Sequence, residues 1–275
     1  MSIISAIILG IVQGLTEFLP VSSSGHLVLM QKIFGITAPA MFFDTMLHLG
    51  TLLAVFVVLW KDIWEILKKL IQPLTGFLIL ATIPTVFFAL FFGDKIEHAF
   101  ESGQFLGICF LLTSVFLFFS ETVSKRANTG IGLRKAEDMN WQDAVFIGLM
   151  QAVAIAPGIS RSGATISGAL SRRLNRDFAA RFSFLLSIPA ILGAVVLQTK
   201  KLIASGAAEE IASENIGAVA VIAGTASAAI VGFFAVRYML KLIREKSLLG
   251  FAVYTAALGV LVIIDQTLTH LVFHS

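Results

Sequence analysis

The amino-acid sequence predicts an all-α integral membrane protein: six full transmembrane helices and two re-entrant helical hairpins, arranged as two inverted-topology repeats. Three observations lead to this prediction: an apolar composition, six apolar runs of near-spanning length, and two related polar motifs. Hydrophobic residues make up 57% of the 275 residues, charged residues make up 13%, and the mean hydropathy is +0.91. A soluble domain carries about 25% charged residues, so the composition excludes a water-soluble fold.

Six apolar runs approach the roughly 20 residues that a helix needs to cross the hydrocarbon core. They are Met41 to Trp60, Gly76 to Phe92, Phe105 to Ser120, Phe182 to Leu197, Ile216 to Val236 and Leu248 to Ile264. The apolar N-terminal stretch has no basic leading region and continues directly into a polar motif. We therefore interpret it as mature structure and not as a cleaved signal peptide.

The basic residues predict how the chain is oriented. Most of them lie in four connections, which the positive-inside rule assigns to the cytoplasm. The four are Lys61 to Lys69, Lys125 to Lys135, Arg172 to Arg181 and Arg237 to Lys246. The residues before Met41 must then begin and end outside, and residues Trp141 to Leu170 must leave and return on the cytoplasmic side. Each stretch is predicted to form a re-entrant hairpin, and both termini are predicted to lie outside.

An internal repeat supports the two hairpins independently. Three positions recur at one constant offset, with Gly10, Gln13 and Gly25 matching Gly148, Gln151 and Gly163. Inverted repeats that carry broken helices are typical of membrane transporters. We expect a single membrane domain over 1–275, with a first repeat over 1–120, a cytoplasmic linker over 121–140 and an inverted second repeat over 141–275.

Two polar motifs interrupt the apolar scaffold. They are Gln13-Gly14-Leu15-Thr16-Glu17 running into Ser22-Ser23-Ser24-Gly25-His26, and Ser160-Arg161-Ser162-Gly163-Ala164-Thr165. A charge at bilayer depth costs about 2.5 to 3.5 kcal/mol on insertion scales, so these motifs predict a functional site. Hydroxyl and N–H groups at the start of a helix suit a phosphate. The candidate substrate-binding residues are Ser22, Ser24, Gly25, Ser160, Ser162 and Thr165.

The candidate catalytic residues are Glu17, Ser23, His26 and Arg161. The guanidinium of Arg161 matches phosphoryl oxygens, and Ser23 and His26 are alternative nucleophiles, with His26 also a candidate general acid or base. Glu17, with Gln13 one helical turn earlier, offers oxygen ligands for Mg²⁺ or Ca²⁺. Two simpler interpretations stay open: the serines satisfy backbone groups only, or Glu17 and Arg161 form a structural ion pair between the repeats.

Asp44 and His48 lie one helical turn apart at the predicted outer start of a helix. Polar residues at such a position are usually solvated by the membrane interface. We therefore interpret the pair as interfacial and not as catalytic.

The segments QGLTEFLPVSSSGH and PGISRSGAT resemble the two signature motifs of the bacterial undecaprenyl-diphosphate phosphatases, also called bacitracin-resistance proteins. The resemblance spans the whole chain in length, motif order and hydropathy. It implies a plasma-membrane enzyme that hydrolyses undecaprenyl diphosphate to undecaprenyl phosphate with a divalent cation. This reaction recycles the lipid carrier for cell-wall synthesis and confers bacitracin resistance, because bacitracin competes for the substrate and does not bind the protein.

The resemblance also implies roles for individual residues. The acidic motif of the family corresponds to Gln13 and Glu17, and its serine and histidine to Ser23 and His26. The arginine motif corresponds to Ser160, Arg161, Ser162 and Thr165. Many members have Glu where this chain has Gln13, and an amide can bind a metal but cannot act as a base. Glu17 is therefore expected to be the main ligand or base.

The expected partners are undecaprenyl diphosphate and membrane lipid, without nucleic acid, and the site is expected to open to the outer face. The sequence leaves three questions open. The attacking group is Ser23, His26 or water, and the oligomeric state includes a homodimer as one option. The chain is a phosphatase, a carrier of lipid phosphate or a small anion, or a phosphatase that also flips its product lipid.

Overall fold

The computed structural model describes residues 1–36, 41–129, 133–204 and 216–273, and these residues are almost entirely helical. The described α-helices are α1 Ile3–Thr16, α2 Ser23–Ile33, α3 Met41–Val58, α4 Trp60–Lys68, α5 Pro73–Ser102, α6 Leu106–Thr129, α7 Trp141–Val153, α8 Arg161–Ser171, α9 Arg176–Ala204, α10 Ala218–Glu245 and α11 Leu249–Ile264. A short 3-10 helix covers Ala136–Asp138, and a π-helical turn covers Asp265–Thr269. In these ranges β pairing is limited to one isolated bridge between Arg134 and Leu174.

Five of the described helices are long and apolar enough to cross a membrane: α5, α6, α9, α10 and α11. Helices α3 and α4 make a sixth span if the two are counted together, although they are bent by 77° at the break between them. The prediction of an all-helical protein with several membrane spans is confirmed. Its first run is too long, because α3 ends at Val58 and Trp60 already belongs to α4.

The bend between α3 and α4 follows from the distribution of charge. Helix α4 places Lys61 and Glu65 in solvent while Ile63 is buried against the core. A charged face beside an apolar one suits a helix that lies along a membrane interface and not across it.

Four helices are too short to cross a bilayer. Helices α1 and α7 have 14 and 13 residues, and α2 and α8 have 11 residues each. At 1.5 Å per residue they are roughly 16 to 21 Å long, against a hydrocarbon core of about 30 Å. Helix α1 packs on α2 and α7 packs on α8, forming a first hairpin (residues 3–33) and a second hairpin (residues 141–171).

The tips of the two hairpins touch each other. The hydroxyl of Ser162 donates to the carbonyl of Leu19 over 3.0 Å. A Cβ atom on Gly163 would lie 3.4 Å from the ring of Pro20. The two polar motifs, which are far apart in the sequence, therefore meet in the folded chain.

Glycines let both hairpins pack closely on longer helices. Helix α1 packs on α10, where Gly10 faces the carbonyl of Gly224. Helix α7 packs on α5, where Gly148 faces the carbonyl of Ala81. A Cβ atom at Gly10 or Gly148 would overlap that carbonyl, so both positions need glycine.

Asp143, in the first turn of α7, is fully buried and joins the two ends of the second hairpin. Its carboxylate accepts from Arg172 over 2.6 Å and from Arg134 over 2.8 Å. Burial alone would raise the pKa of Asp143, but hydrogen bonds from Arg134, the Asn140 N–H and Arg172 hold that pKa below its ordinary value.

Further ion pairs join the other basic connections at the same end of the bundle. The pairs are Arg176 with Glu121, Arg181 with Asp62, and Arg244 with Asp177. Together with the pairs at Asp143, they draw the four basic connections together. The first hairpin begins and ends elsewhere, because Met1 and Phe34 pack in an apolar cluster with Ile216, which precedes α10.

Candidate active site

Glu17 follows α1 at the tip of the first hairpin, and its side chain is only 5% exposed. One carboxylate oxygen accepts from the guanidinium of Arg161 over 2.6 Å. The other accepts from the amide of Gln13 over 3.0 Å and from the hydroxyl of Ser23 over 2.6 Å. The structure thus brings together four of the residues that the two motifs predicted for the site.

Arg161 is the first residue of α8 and extends from the second hairpin to the first. Its Nη2 donates to Glu17, and its Nη1 donates to the backbone carbonyl of Ser183 over 3.1 Å. A guanidinium has five N–H donors, so the remaining ones can bind an anion. The sequence analysis missed Ser183, because a serine inside an apolar run carries no local signal.

Helices α2 and α8 start with the same arrangement of hydrogen bonds. The hydroxyl of Ser22 accepts from the N–H of Gly25 over 3.2 Å, and the hydroxyl of Ser160 accepts from the N–H of Gly163 over 3.0 Å. The first N–H groups of a helix have no acceptor within that helix. Two helix N-termini, each with partial positive charge, therefore meet at the hairpin tips and favour an anion there.

The predicted substrate-binding residues fall into two groups. Ser24 is partly exposed at the start of α2, whereas Ser160, Ser162 and Thr165 are buried. The hydroxyls of these three are occupied by protein atoms; that of Thr165, for example, lies 2.6 Å from the hydroxyl of Ser183. They shape the tip of the second hairpin, and their direct contact with a substrate stays a prediction.

Gly25 and Ser22 are buried beside the start of α2. A Cβ atom on Gly25 would lie 2.6 Å from the ring of Phe110, so a larger residue would push the first hairpin away from α6. Gly25 is therefore required for packing, whatever else it binds.

His26 lies near Glu17 in the sequence but its ring is turned elsewhere. Nδ1 lies 2.7 Å from the carbonyl oxygen of Ser22, and Nε2 lies 2.7 Å from the hydroxyl of Tyr254. The ring of Phe110 packs edge-on at 5.5 Å. Across the described parts of the chain, no polar contact joins His26 to Glu17, and Tyr254 is a partner that the sequence analysis did not identify.

His48 is the imidazole that the structure brings to Glu17. Its Nε2 lies 3.6 Å from the carboxylate, while its Nδ1 lies 2.7 Å from the carbonyl oxygen of Asp44. The interpretation of His48 as an interfacial residue did not anticipate this contact. Only the packing of α3 against α1 creates it, and that packing has no signature in the local sequence.

The residues around Glu17 fit a hard cation that is shared with a ligand. The carbonyl oxygen of the Gln13 side chain is buried and has no hydrogen-bond partner, so it is available as a metal ligand. In the described ranges no three His, Cys, Asp or Glu residues form a metal cluster. Mg²⁺ commonly takes one or two protein oxygens and completes its shell with phosphate and water, which agrees with this set.

Five or six helices that are long and apolar enough to span a membrane, together with a buried polar cluster where two short hairpins meet, indicate a multi-pass membrane protein. The chain belongs to the family described as bacitracin resistance protein BacA, whose family model matches residues 6–261. The resemblance that the two motifs predicted is thereby confirmed.

Known relatives match the chain over nearly its whole length. An undecaprenyl-diphosphatase of Carboxydothermus hydrogenoformans is 45% identical over 266 residues, which is 97% of this chain and 98% of the relative. An undecaprenyl-diphosphatase 4 of Bacillus cereus is also 45% identical over 266 residues, with the same coverage. An undecaprenyl-diphosphatase of Methanosphaera stadtmanae is 39% identical over 286 residues, covering 96% of this chain and 98% of the relative.

Proposed function

We propose that the protein hydrolyses undecaprenyl diphosphate to undecaprenyl phosphate and inorganic phosphate. The relatives' names support the reaction, and the family description supports a role in bacitracin resistance. The observation that carries the proposal is the cluster at the hairpin tips, in which Glu17 binds both Arg161 and Ser23. In this cluster the guanidinium of Arg161, the carboxylate of Glu17 and the hydroxyl of Ser23 lie together at two helix N-termini.

The diphosphate binds between the two hairpin tips. Arg161 contributes its free N–H donors, and the first turns of α2 and α8 contribute backbone N–H groups. Ser24, partly exposed in the first turn of α2, adds a hydroxyl. Because Arg161 and the helix N-termini are fixed before the substrate arrives, charge that develops on the transferring phosphoryl group meets donors that are already oriented.

Ser23 is the nucleophile that the contacts favour. Its hydroxyl already donates to Glu17, so Glu17 takes that proton as the oxygen attacks the terminal phosphorus. The P–O bond to undecaprenyl phosphate breaks, and Glu17 passes the proton to the departing group. Water then attacks the phosphoserine and gives a proton to Glu17. The bond between phosphorus and the Ser23 oxygen breaks, Glu17 returns the proton to that oxygen, and inorganic phosphate is released. His26 is disfavoured as a nucleophile because both ring nitrogens have protein partners.

Mg²⁺ or Ca²⁺ is the proposed cofactor, held by oxygens of Glu17 and Gln13. When bound, such a cation neutralises part of the diphosphate charge and polarises the phosphoryl oxygens. The side-chain amide of Gln13 donates to Glu17 through its nitrogen, which leaves its oxygen without a hydrogen-bond partner. That oxygen is the proposed metal ligand.

The chain is proposed to form two inverted repeats over 1–120 and 141–275, joined by a cytoplasmic linker over 121–140, with re-entrant hairpins that enter from opposite faces. Helix α1 packs on α10 as α7 packs on α5, which supports the repeat. Helix α10 runs from the end where the first hairpin starts to the basic end, which supports opposite entrances. Within these ranges, residues 37–40, 130–132, 205–215 and 274–275 lie outside the described residues.

The proposed orientation places the basic end in the cytoplasm of a bacterial plasma membrane, with both termini outside. The site would then open to the outer face, where wall polymerisation releases the carrier diphosphate. Bacitracin would compete for that substrate and not for the protein.

The deciding experiment is phosphate release from undecaprenyl diphosphate by the purified protein in detergent, where no gradient exists. We expect multiple turnovers that are lost in Glu17→Ala. A pure carrier of lipid phosphate or a small anion would release no phosphate. Rapid acid quenching followed by mass spectrometry should find phosphate on Ser23, whereas direct attack by water would leave the serine unmodified throughout turnover.

A further inference from the structure

Tyr254, His26 and Ser22 form a chain of hydrogen bonds behind the proposed nucleophile. The hydroxyl of Tyr254 lies 2.7 Å from Nε2 of His26, and the two rings stack at 5.8 Å with an angle of 11°. Nδ1 of His26 lies 2.7 Å from the carbonyl oxygen of Ser22. Ser22 directly precedes Ser23, so this series of hydrogen bonds connects Tyr254 on α11 to the proposed nucleophile.

The partners of His26 determine where its proton resides. A backbone carbonyl can only accept a hydrogen bond, so Nδ1 donates to Ser22 and carries the proton. In the neutral ring Nε2 is then an acceptor, and the hydroxyl of Tyr254 donates to it. Tyr254 thereby favours the one tautomer of His26 that can bond to the Ser22 carbonyl.

Ser22 has an unusual backbone conformation, with φ +72° and ψ 97°. Residues with a side chain rarely adopt positive φ, because the Cβ atom crowds the backbone. Ser160 caps α8 through the same hydrogen bond and has an ordinary φ of −71°. Helix capping therefore does not require the strained conformation of Ser22.

The two hairpins differ at the position of the imidazole. At the constant offset of the repeat, His26 corresponds to Ala164, which has no group that could hold a carbonyl. In the first hairpin the Ser22 carbonyl accepts from both the backbone N–H and Nδ1 of His26, over 3.2 and 2.7 Å. The strained serine thus occurs in the hairpin that has a ring to hold it.

We propose that His26 and Tyr254 are positioning residues: Tyr254 sets the tautomer of His26, and His26 holds Ser22 in the conformation that aims Ser23 at Glu17. This inference rests on the proposed function. It assigns His26 no proton transfer and no bond to phosphorus. It also adds Tyr254, which lies outside both polar motifs, to the residues that the reaction needs.

Tyr254→Phe removes only the hydroxyl that donates to Nε2 of His26 and keeps the aromatic ring. We expect kcat to fall about tenfold with KM changed less than twofold, because substrate binding does not use Tyr254. Tyr238→Phe is the matched control, since Tyr238 is the other tyrosine in the sequence and is exposed. A wild-type kcat in Tyr254→Phe would overturn the proposal, as would a loss that occurs entirely in KM.

Two substitutions of His26 separate positioning from proton transfer. The amide nitrogen of Asn stands at the place of Nδ1, and that of Gln stands near Nε2. We expect His26→Asn to be at least tenfold more active than His26→Gln, because only Asn can donate to the Ser22 carbonyl. Equal inactivity of the two variants, both eluting as wild type in detergent, would overturn the proposal.

The double variant tests whether Tyr254 acts through His26. In the His26→Asn background Nε2 is absent, so Tyr254→Phe should have no further effect on kcat. An undiminished tenfold loss there would mean that Tyr254 reaches the substrate directly and would overturn the proposal. If the wild-type protein releases no phosphate, the proposed function itself is wrong. If the wild type is active and the variants do not differ as expected, only the positioning role of His26 and Tyr254 is wrong.

Discussion

The carboxylate of Glu17 and the guanidinium of Arg161 lie 2.6 Å apart, although 144 residues separate them in the sequence. Neither charge is solvated by bulk water, since their side chains are 5% and 16% exposed. Removing one partner of such a pair leaves the other buried and uncompensated. The pair therefore holds the two hairpin tips together.

Arg161→Lys should lower kcat/KM at least a hundredfold. Arg161 uses two different nitrogens to contact Glu17 and the Ser183 carbonyl, and an ammonium group cannot reproduce that fork. Losing one oriented donor at a charge-stabilising site costs about 2.7 to 4 kcal/mol. Phosphate release over a range of substrate concentrations measures the effect. Arg237→Lys, at an exposed position on α10, should behave as wild type, and near-native activity of Arg161→Lys would exclude Arg161 from the chemistry.

Removing divalent cations with EDTA should abolish activity, and Mg²⁺ or Ca²⁺ should restore it. The site offers one guanidinium against a multiply charged diphosphate, and Glu17 adds a further negative charge. Gln13→Glu should lower the cation concentration that gives half-maximal rate, because it puts a second carboxylate beside Glu17. Isothermal titration of cation into the substrate-free variants provides a second measurement. Full activity after complete metal removal would leave Glu17 as a base alone.

His48→Ala should reduce kcat about a hundredfold, the lower end of the range for positioned groups that assist proton transfer. Its Nε2 faces the oxygen of Glu17 that also accepts from Ser23. His270→Ala is the control, because His270 is exposed in the C-terminal part of the chain. If His48→Ala and His270→Ala have the same kinetics, the 3.6 Å contact has no role in turnover.

Asp143→Asn should lower the free energy of unfolding by about 1 to 3 kcal/mol at pH 7, because hydrogen bonds to charged partners are lost. The pKa of Asp143 is depressed in the folded chain, so its contribution is full above the unfolded pKa and is lost as the pH falls through the folded pKa. The gap in melting temperature between wild type and Asp143→Asn should therefore close below about pH 4. Thermal unfolding in detergent measures it. Glu137→Gln, at an exposed position, should change the melting temperature little, and a gap independent of pH would contradict the account.

Cysteines at Ser2 and Ser247, each in a Cys109→Ser background, should label differently with an impermeant thiol reagent. Both positions are exposed; Ser2 precedes α1 and Ser247 lies at the basic end of the bundle. We expect Ser2→Cys to react in intact cells and Ser247→Cys to react only after the cells are broken. The reverse pattern would invert the orientation while leaving the residues of the site unchanged.

The sequence predicts the helices well because each apolar run is a local property. The constant offset between Gln13 and Gln151 also predicts that two similar hairpins exist, and buried charges predict that their polar ends meet. The sequence analysis did not predict the bend after Val58, because it continued the span to Trp60 and treated Lys61 to Lys69 as a connection, whereas these residues form helix α4.

The site residues that the sequence analysis missed have a common cause. His48, Ser183 and Tyr254 all lie in long helices, where neighbouring residues are apolar and no motif surrounds them. Each reaches the hairpins through helix packing between distant segments. The conformation of Ser22 was equally hidden, because a serine gives no sign that its φ will be positive.

The separation of 144 residues between Glu17 and Arg161 also orders events during biosynthesis. The first hairpin leaves the ribosome well before the arginine that will pair with its carboxylate has been translated. In the proposed re-entrant arrangement Glu17 lies at bilayer depth, where an ionised carboxylate without its cationic partner from the second hairpin costs about 2.5 to 3.5 kcal/mol during that interval. The first hairpin of the nascent chain should therefore settle into the bilayer only after α8 has been made, which makes the N-terminal segment one of the last parts to reach its final place.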